Sequence, residues 1–160
     1  MVAKAGRRAN SGINLATMNA FADTPEERRA LMRRVRPSGS RVERTVRSAI
    51  HARGLRFRLH RRDLPGTPDL VFPRHRLVVF VHGCFWHRHA GCGRATTPKT
   101  HHDYWMEKFE DNVRRDRRKQ EALEALGWRV AVVWECQALD SARLKQRLDD
   151  IFEGENAGTR

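Results

Sequence analysis

No stretch of this chain approaches the roughly 20 consecutive apolar residues that a bilayer-spanning helix needs, so no membrane span is expected. The N-terminus is basic but lacks the apolar core of a secretory signal, which makes the cytoplasm the expected location. Cysteine is scarce. Three residues cannot pair completely, which argues against a disulfide scaffold and leaves thiols for a metal in a reducing compartment. Acid is scarce too: 19 Asp and Glu face 32 Lys and Arg, a formal net charge of +13 on 160 residues. Such an excess on a chain of one-domain length points to a polyanionic partner, with nucleic acid first. Hydrophobic residues make up 39% and charged residues 32%, a polar balance that still allows a core and excludes a disordered chain.

The positive charge is clustered. Arg28–Arg36 holds five arginines in nine residues, and Arg114-Arg115-Asp116-Arg117-Arg118-Lys119 holds five cations in six. Residues 1–24 show no sustained period and read as a flexible basic arm. A single domain is expected over 25–152, with a polar tail at 153–160. Thr24-Pro25-Glu26-Glu27 signals the start of a short helix. A second helix is predicted from Arg41 to Arg53, with Val42, Val46 and Ile50 at i, i+4 and i+8 and Gly54 as its stop. Strands are predicted at Leu55–Leu59, Asp69–Phe72, Leu77–Val81 and Trp128–Trp134. Asp103 is expected to cap a helix running to Leu126 and ended by Gly127, and a last helix spans Ser141–Phe152. This order predicts an α/β (α+β) domain with a small mixed sheet covered by helices. A tight connection at Pro73–Arg76 sets Asp69 opposite Phe80, so that Asp69 and His82 become diagonal neighbours about 7–8 Å apart on one face.

The strongest chemistry lies between His82 and Cys92. Soft donors at Cys84, His89 and Cys92, with Cys136 supplied from the end of the last strand, make a Cys3His set suited to a structural zinc. Such a site would order a loop that has little apolar packing of its own. The other reading of the thiols is three unrelated core cysteines. His82 and His87 are left over. Cutting a phosphodiester needs a cation on carboxylate oxygen, a group to activate water and positive charge for the phosphorane. Asp69 could hold the cation, His87 act on water and His82 stabilise the phosphate. Phe85 and Trp86, beside a zinc ligand, are rigidly mounted for exposure, whereas Trp128 and Trp134 alternate with valines and are expected in the core. Trp105 has Phe109 at helical spacing and fits either role.

Four stretches carry a resemblance to a known family: Leu64-Pro65-Gly66-Thr67-Pro68-Asp69, Phe80-Val81-His82-Gly83-Cys84-Phe85-Trp86-His87, Asn112-Val113-Arg114-Arg115-Asp116-Arg117-Arg118, and Gly127-Trp128-Arg129-Val130 with Val133-Trp134-Glu135-Cys136. In collinear order from about Glu27 to Asp140, they resemble the very short patch repair (Vsr) DNA mismatch endonucleases. The resemblance implies a restriction-endonuclease-like fold and a Mg²⁺-dependent nick in double-stranded DNA, 5′ to the T of a T:G mismatch left by deaminated 5-methylcytosine. It makes Asp69 the metal-binding aspartate, with the backbone carbonyl of Val81 beside it, and His87 the general base. His82 and Asp116 fall in the catalytic shell, and Glu43 lies near the metal waters. Cys84, His89, Cys92 and Cys136 match the zinc ligands, while Phe85, Trp86 and Trp105 match aromatics that intercalate. Asn112, Arg114 and Arg115 are expected to face DNA. Val81 departs from the threonine usual there, and the His89–Cys92 spacing is one residue longer. A monomer is expected, and a mismatch-repair protein is a candidate partner. Two alternatives remain: a nuclease of the same fold with a different mispair or modified base as target, and a non-catalytic zinc-stabilised DNA-binding module.

Overall fold

The structure, a computed structural model, describes residues 39–153. The expected arm, the helix signal at Thr24 and the Arg28–Arg36 run lie outside the described residues, as does most of the expected tail. The elements in order are α1 (Arg41–Ala52), β1 (Arg58–Leu59), β2 (Leu70–Phe72), a 3-10 turn (Pro73–His75), β3 (Leu77–His82), α2 (His102–Ala125), β4 (Arg129–Trp134), α3 (Glu135–Ala138) and α4 (Ser141–Glu153). The strands form one mixed sheet in the order β1-β2-β3-β4, antiparallel at the first two pairings and parallel at β3–β4. A parallel pair needs a long crossover, and α2 supplies it.

Period-2 geometry sorts the strand residues into two layers. Leu70, Phe72, Leu77, Val79 and Val133 pack against Val46 and Ile50 of α1 and against Leu144, Leu148 and Ile151 of α4. Val71, Val78 and Phe80 point the other way, onto Leu64, Leu123 and Trp128. With both faces covered, β2 and β3 read as continuous apolar runs rather than alternating ones.

Local chemistry sets the ends of the elements. Ser40 Oγ accepts the Glu43 amide at 3.1 Å, and Glu43 returns its carboxylate to the amides of Ser40 and Gly39, a capping box that starts α1. Gly127, at φ +76°, ends α2 in a Schellman motif: its amide donates to the Glu124 carbonyl and that of Trp128 to Leu123. Arg76, at φ +48°, closes the turn between β2 and β3.

Three expectations are corrected. The strand over Leu55–Leu59 shrinks to Arg58–Leu59, which pair with Val71 and Leu70; Leu55 and Phe57 are drawn instead onto the core cluster, where Phe57 meets the Phe72 ring edge-on at 5.9 Å. Asp103 does not cap α2. The helix begins from His101 in a left-handed conformation with no side-chain cap, and Asp103 falls in its first turn, where its charge still suits the helix dipole. Cys136 sits in the unpredicted short helix α3 rather than on the strand.

Leu70, fully buried between layers, and Leu59, 44% exposed on the edge, separate core packing from edge packing. Leu70→Ala should lower stability by about 2–5 kcal/mol in urea denaturation, and Leu59→Ala should stay within about 0.5 kcal/mol of the wild type.

Candidate active site

The register Leu70↔Val79 sets Asp69 across from Phe80, as the turn spacing predicts. Asp69 therefore lies on the same face as Phe80 and His82, at the end of the sheet beyond the apolar layer. Its Oδ2 accepts the Val81 amide at 2.8 Å, which fixes the carboxylate against β3. His87 comes from the loop after β3 and stacks on His82, with ring centroids 3.9 Å apart and planes 9° from parallel. Its Nδ1 is hydrogen-bonded to Asp116 Oδ2, one of the two α2 positions expected to share a face. Asp69, His82, His87, Asp116, Glu43 and Val81 all line one cavity of about 470 Å³. The structure thus brings together every residue expected to act on the phosphodiester.

Electrostatics separates their roles. Burial, aided by neighbouring Glu43, pushes the Asp69 carboxyl up and outweighs the Val81 hydrogen bond, so its ionised form calls for a nearby cation. Burial and the adjacent His87 push His82 down to about 4, so it is neutral at pH 7. Burial pushes Asp116 up, but the His87 hydrogen bond and the charges of His87, His82 and Lys119 bring it below its ordinary value. An ionised Asp116 holds the Nδ1 proton of His87 and leaves Nε2 as the free nitrogen, the tautomer a base needs.

Several contributors escaped the sequence reading. Arg47 reaches Glu43 Oε2 at 2.8 Å and His60 Nε2 at 3.0 Å. A guanidinium only donates, so Nε2 of His60 accepts and the His60 proton sits on Nδ1, which faces Asp69 Oδ1 at 4.0 Å. Residues 47, 60 and 69 are far apart in sequence, and nothing short of the tertiary fold joins them. Lys119 also lines the cavity. Its signal was legible, since it lies three residues after Asp116 on a helix.

The second cluster is at the loop's other end. Cys84 and Cys136 Sγ lie 3.7 and 3.3 Å from His89 Nδ1, and the donor atoms of Cys84, His89, Cys92 and Cys136 are all within 4.8 Å of one another. Tetrahedral ligands about 2.0–2.3 Å from one ion would be separated by about 3.5 Å, so this set could hold a metal. Burial pushes the Cys84 thiol up to about 12, so a thiolate there requires an adjacent cation. Glu135 Oε2 accepts the Cys84 amide at 3.3 Å and Trp134 stacks on His89 at 4.3 Å. Trp134, expected in the core, is half-buried and walls this cluster; Trp128 is buried as expected.

The aromatics form one group. Phe85 meets Trp86, Trp105 and Phe109 edge-on at 5.1–5.6 Å. Phe85 and Trp86 are half-buried, whereas Trp105 is only 6% exposed and stacks on Phe109, the core arrangement its spacing also allowed. Asn112, expected to face DNA, donates its amide to the Trp86 carbonyl at 3.1 Å and so ties the loop to α2. Arg114 and Arg115 are exposed on the same helix.

Comparison with known proteins gives this arrangement a context. The chain is 57% identical over 130 residues to the type II nicking enzyme V.XorIIP of Xanthomonas oryzae pv. oryzae, an overlap of 81% of this chain and 95% of that protein. It is 40% identical over 131 residues to the DNA mismatch endonuclease Vsr of Escherichia coli, covering 79% and 83% respectively. It is 35% identical over 128 residues to the type II nicking enzyme V.NmeAIP of Neisseria meningitidis, covering 80% and 91%. The class is therefore that of the DNA endonucleases. Within it the chain belongs to the Vsr family, whose profile, described as DNA mismatch endonuclease Vsr, matches residues 21–94. No helix among the described residues is long and apolar enough to cross a membrane.

His82 gives the site a pH signature. Its folded-state value lies below the unfolded 6.5, so the unfolded chain takes up a proton first as pH falls. Its contribution to stability is complete above pH 6.5 and is lost on the way down to about pH 4, a change of about 3 kcal/mol at about 1.4 kcal/mol per pH unit. His82→Gln should flatten that limb of a stability–pH profile measured in denaturant; an unchanged slope would contradict the burial of a neutral imidazole.

Proposed function

We propose that this protein nicks double-stranded DNA on the 5′ side of the T in a T:G mismatch, starting the repair of deaminated 5-methylcytosine. The observation that carries the reading is the convergence of Asp69, His82 and the His87–Asp116 pair in one cavity of a Vsr-family chain. The fold we assign to it is of the restriction-endonuclease type.

His87 Nε2 takes the proton from the attacking water, while Asp116 holds Nδ1 and stabilises the imidazolium that forms. His82, neutral and stacked against His87, presents its ring to the phosphate. The Asp69 carboxylate and the Val81 carbonyl offer hard oxygen donors suited to Mg²⁺, and burial of Asp69 favours a cation beside it. When bound, the cation supplies positive charge for the phosphate and for the leaving oxygen. Glu43, held by its cap and by Arg47, lies across the cavity as an acceptor for water. The Cys84, His89, Cys92 and Cys136 set suits a structural Zn²⁺, whose closed ligand shell would staple the loop carrying His87 to α3.

Recognition follows from the mount of the rings. Phe85 and Trp86 sit between the cysteine cluster and the catalytic histidine, so a wedge inserted at a weakly paired step is coupled directly to the position of His87. Trp105 backs them from α2 and joins the wedge if DNA opens the aromatic group. Arg114 and Arg115 contribute phosphate contacts, and one copy of the chain supplies every group invoked. A mismatch-repair protein would act downstream of the nick, on DNA in the cytoplasm.

Labelled duplexes differing only in T:G against T:A test the reading. Nicking of the T:G duplex is expected in Mg²⁺, with Asp69→Ala reducing the rate by at least about 1,000-fold while binding changes little. Equal or absent nicking of both duplexes across all mispairs and several flanks would reject it. Cys136→Ser, or zinc removal by a chelator, should lower the melting temperature by several degrees or abolish folding; an unshifted melting temperature would remove the structural zinc.

A further inference from the structure

The cavity holding Asp69 and the imidazoles is also lined by Lys119, to which no role has yet fallen. Lys119 stands one turn beyond Asp116 on the same face of α2. Its ammonium lies 3.7 Å from Asp116 Oδ1, an ion pair longer than the about 2.7–3.2 Å of a direct hydrogen bond. Asp116 therefore balances part of its charge without absorbing its N–H donors.

The lysine is also held in place. Gly66, at φ +73°, passes so close beneath its stem that a Cβ there would meet Lys119 Cγ and Cδ at 2.7 Å and Cβ at 2.9 Å. Both the left-handed backbone and the missing side chain require glycine here. The segment leading into Asp69 thus clamps the lysine stem against the cavity, and the side chain is only 40% exposed. A clamped lysine loses less rotamer freedom when it takes a ligand than a free surface lysine does. Of the other fixed charges lining the cavity, the carboxylates of Glu43, Asp69 and Asp116 outnumber the one further cation, Arg62, and a phosphodiester entering among them would be repelled unless a cation met it.

We propose that Lys119 is a further active-site residue, which donates from its ammonium to a non-bridging oxygen of the phosphodiester lying against His87. Gly66 is the positioning residue that aims it. The assignment rests on the nuclease reading above and adds a group that touches the reacting phosphate.

The test pairs Lys119→Met with a T:G duplex in which the phosphate 5′ to the mismatched T is replaced by a neutral methylphosphonate. Binding is measured by fluorescence anisotropy in magnesium-free buffer, where nothing is cut. The wild type should bind the neutralised duplex about 10-fold more weakly than the native one, because a charge-assisted hydrogen bond is lost. Lys119→Met should bind the two within about twofold, and its slope of log K on log salt on the native duplex should be shallower by about one. In Mg²⁺, single-turnover nicking by Lys119→Met should slow by about 10–100-fold. Lys119→Arg should recover part of that loss, and Gly66→Ala, which displaces the stem but keeps the charge, should also slow nicking. Equal sensitivity of wild type and Lys119→Met to the methylphosphonate, or wild-type nicking by Lys119→Met, overturns the assignment and leaves the nuclease reading standing. A wild type that nicks no mismatched duplex removes the nuclease reading first, and the phosphate contact with it.

Discussion

The antiparallel register between β2 and β3 is the constraint on which the site depends. Because side chains alternate along a strand, the pairing that sends Leu70, Phe72, Leu77 and Val79 into one apolar layer also sends Asp69, Phe80 and His82 to the other face. A slip of one residue would drive His82 into the α1–α4 layer and separate it from Asp69. The Val81 amide on Asp69 Oδ2 adds a polar lock at the end of the ladder, where apolar packing gives out. The hydrophobic cores on both sides thus act as the ruler that measures where the carboxylate and the imidazole stand.

The second demand is to bring His87 back to that face from a loop with few apolar residues. Three devices share the work. The cysteine–histidine cluster joins the loop to α3, the Asn112 amide holds the Trp86 carbonyl to α2, and Asp116 takes His87 itself. Arg88 adds a fourth tie, bonding Thr96 and Thr97 while its guanidinium sits 4.5 Å over the Phe109 ring. Between these anchors lie Phe85 and Trp86, so the two half-buried rings and the His87 imidazole are carried on one short, pinned segment. In the proposed function, that adjacency alone would couple insertion of the rings to the placement of His87.

Charge is arranged on two scales. The chain as a whole is strongly basic, which attracts a polyanion from a distance. Inside the cavity the balance reverses, with Glu43, Asp69 and Asp116 gathered against Arg62 and Lys119. A local carboxylate excess within a basic protein is the expected setting for a divalent cation that must neutralise a phosphate. Arg47 belongs to the same scheme. It anchors Glu43, selects the His60 tautomer, and leaves its own Nε buried without a partner.

Much of this was legible in the residue order. The Ser40–Glu43 cap, the Val42-Val46-Ile50 stripe, the Gly127 stop and the short turn at Pro73–Arg76 are local signals, each read within a few residues because helix and hairpin physics acts over that range. They were enough to face Asp69 toward Phe80, while the soft donors were grouped by their chemistry and the small number of cysteines. Local signals misled where a partner decided the outcome. Leu55–Leu59 has a strand-like alternation, but only Arg58 and Leu59 pair with β2, while Leu55 and Phe57 pack onto the core cluster. Asp103 has the chemistry of a cap, yet the chain enters α2 through His101. What only the tertiary structure could settle was contact between distant segments: Arg47 on His60 on Asp69, Gly66 under Lys119, Asn112 on Trp86, and Trp105 folded into the aromatic group. Such contacts depend on how whole elements pack, and packing follows from the sum of two buried layers rather than from any one stretch of sequence.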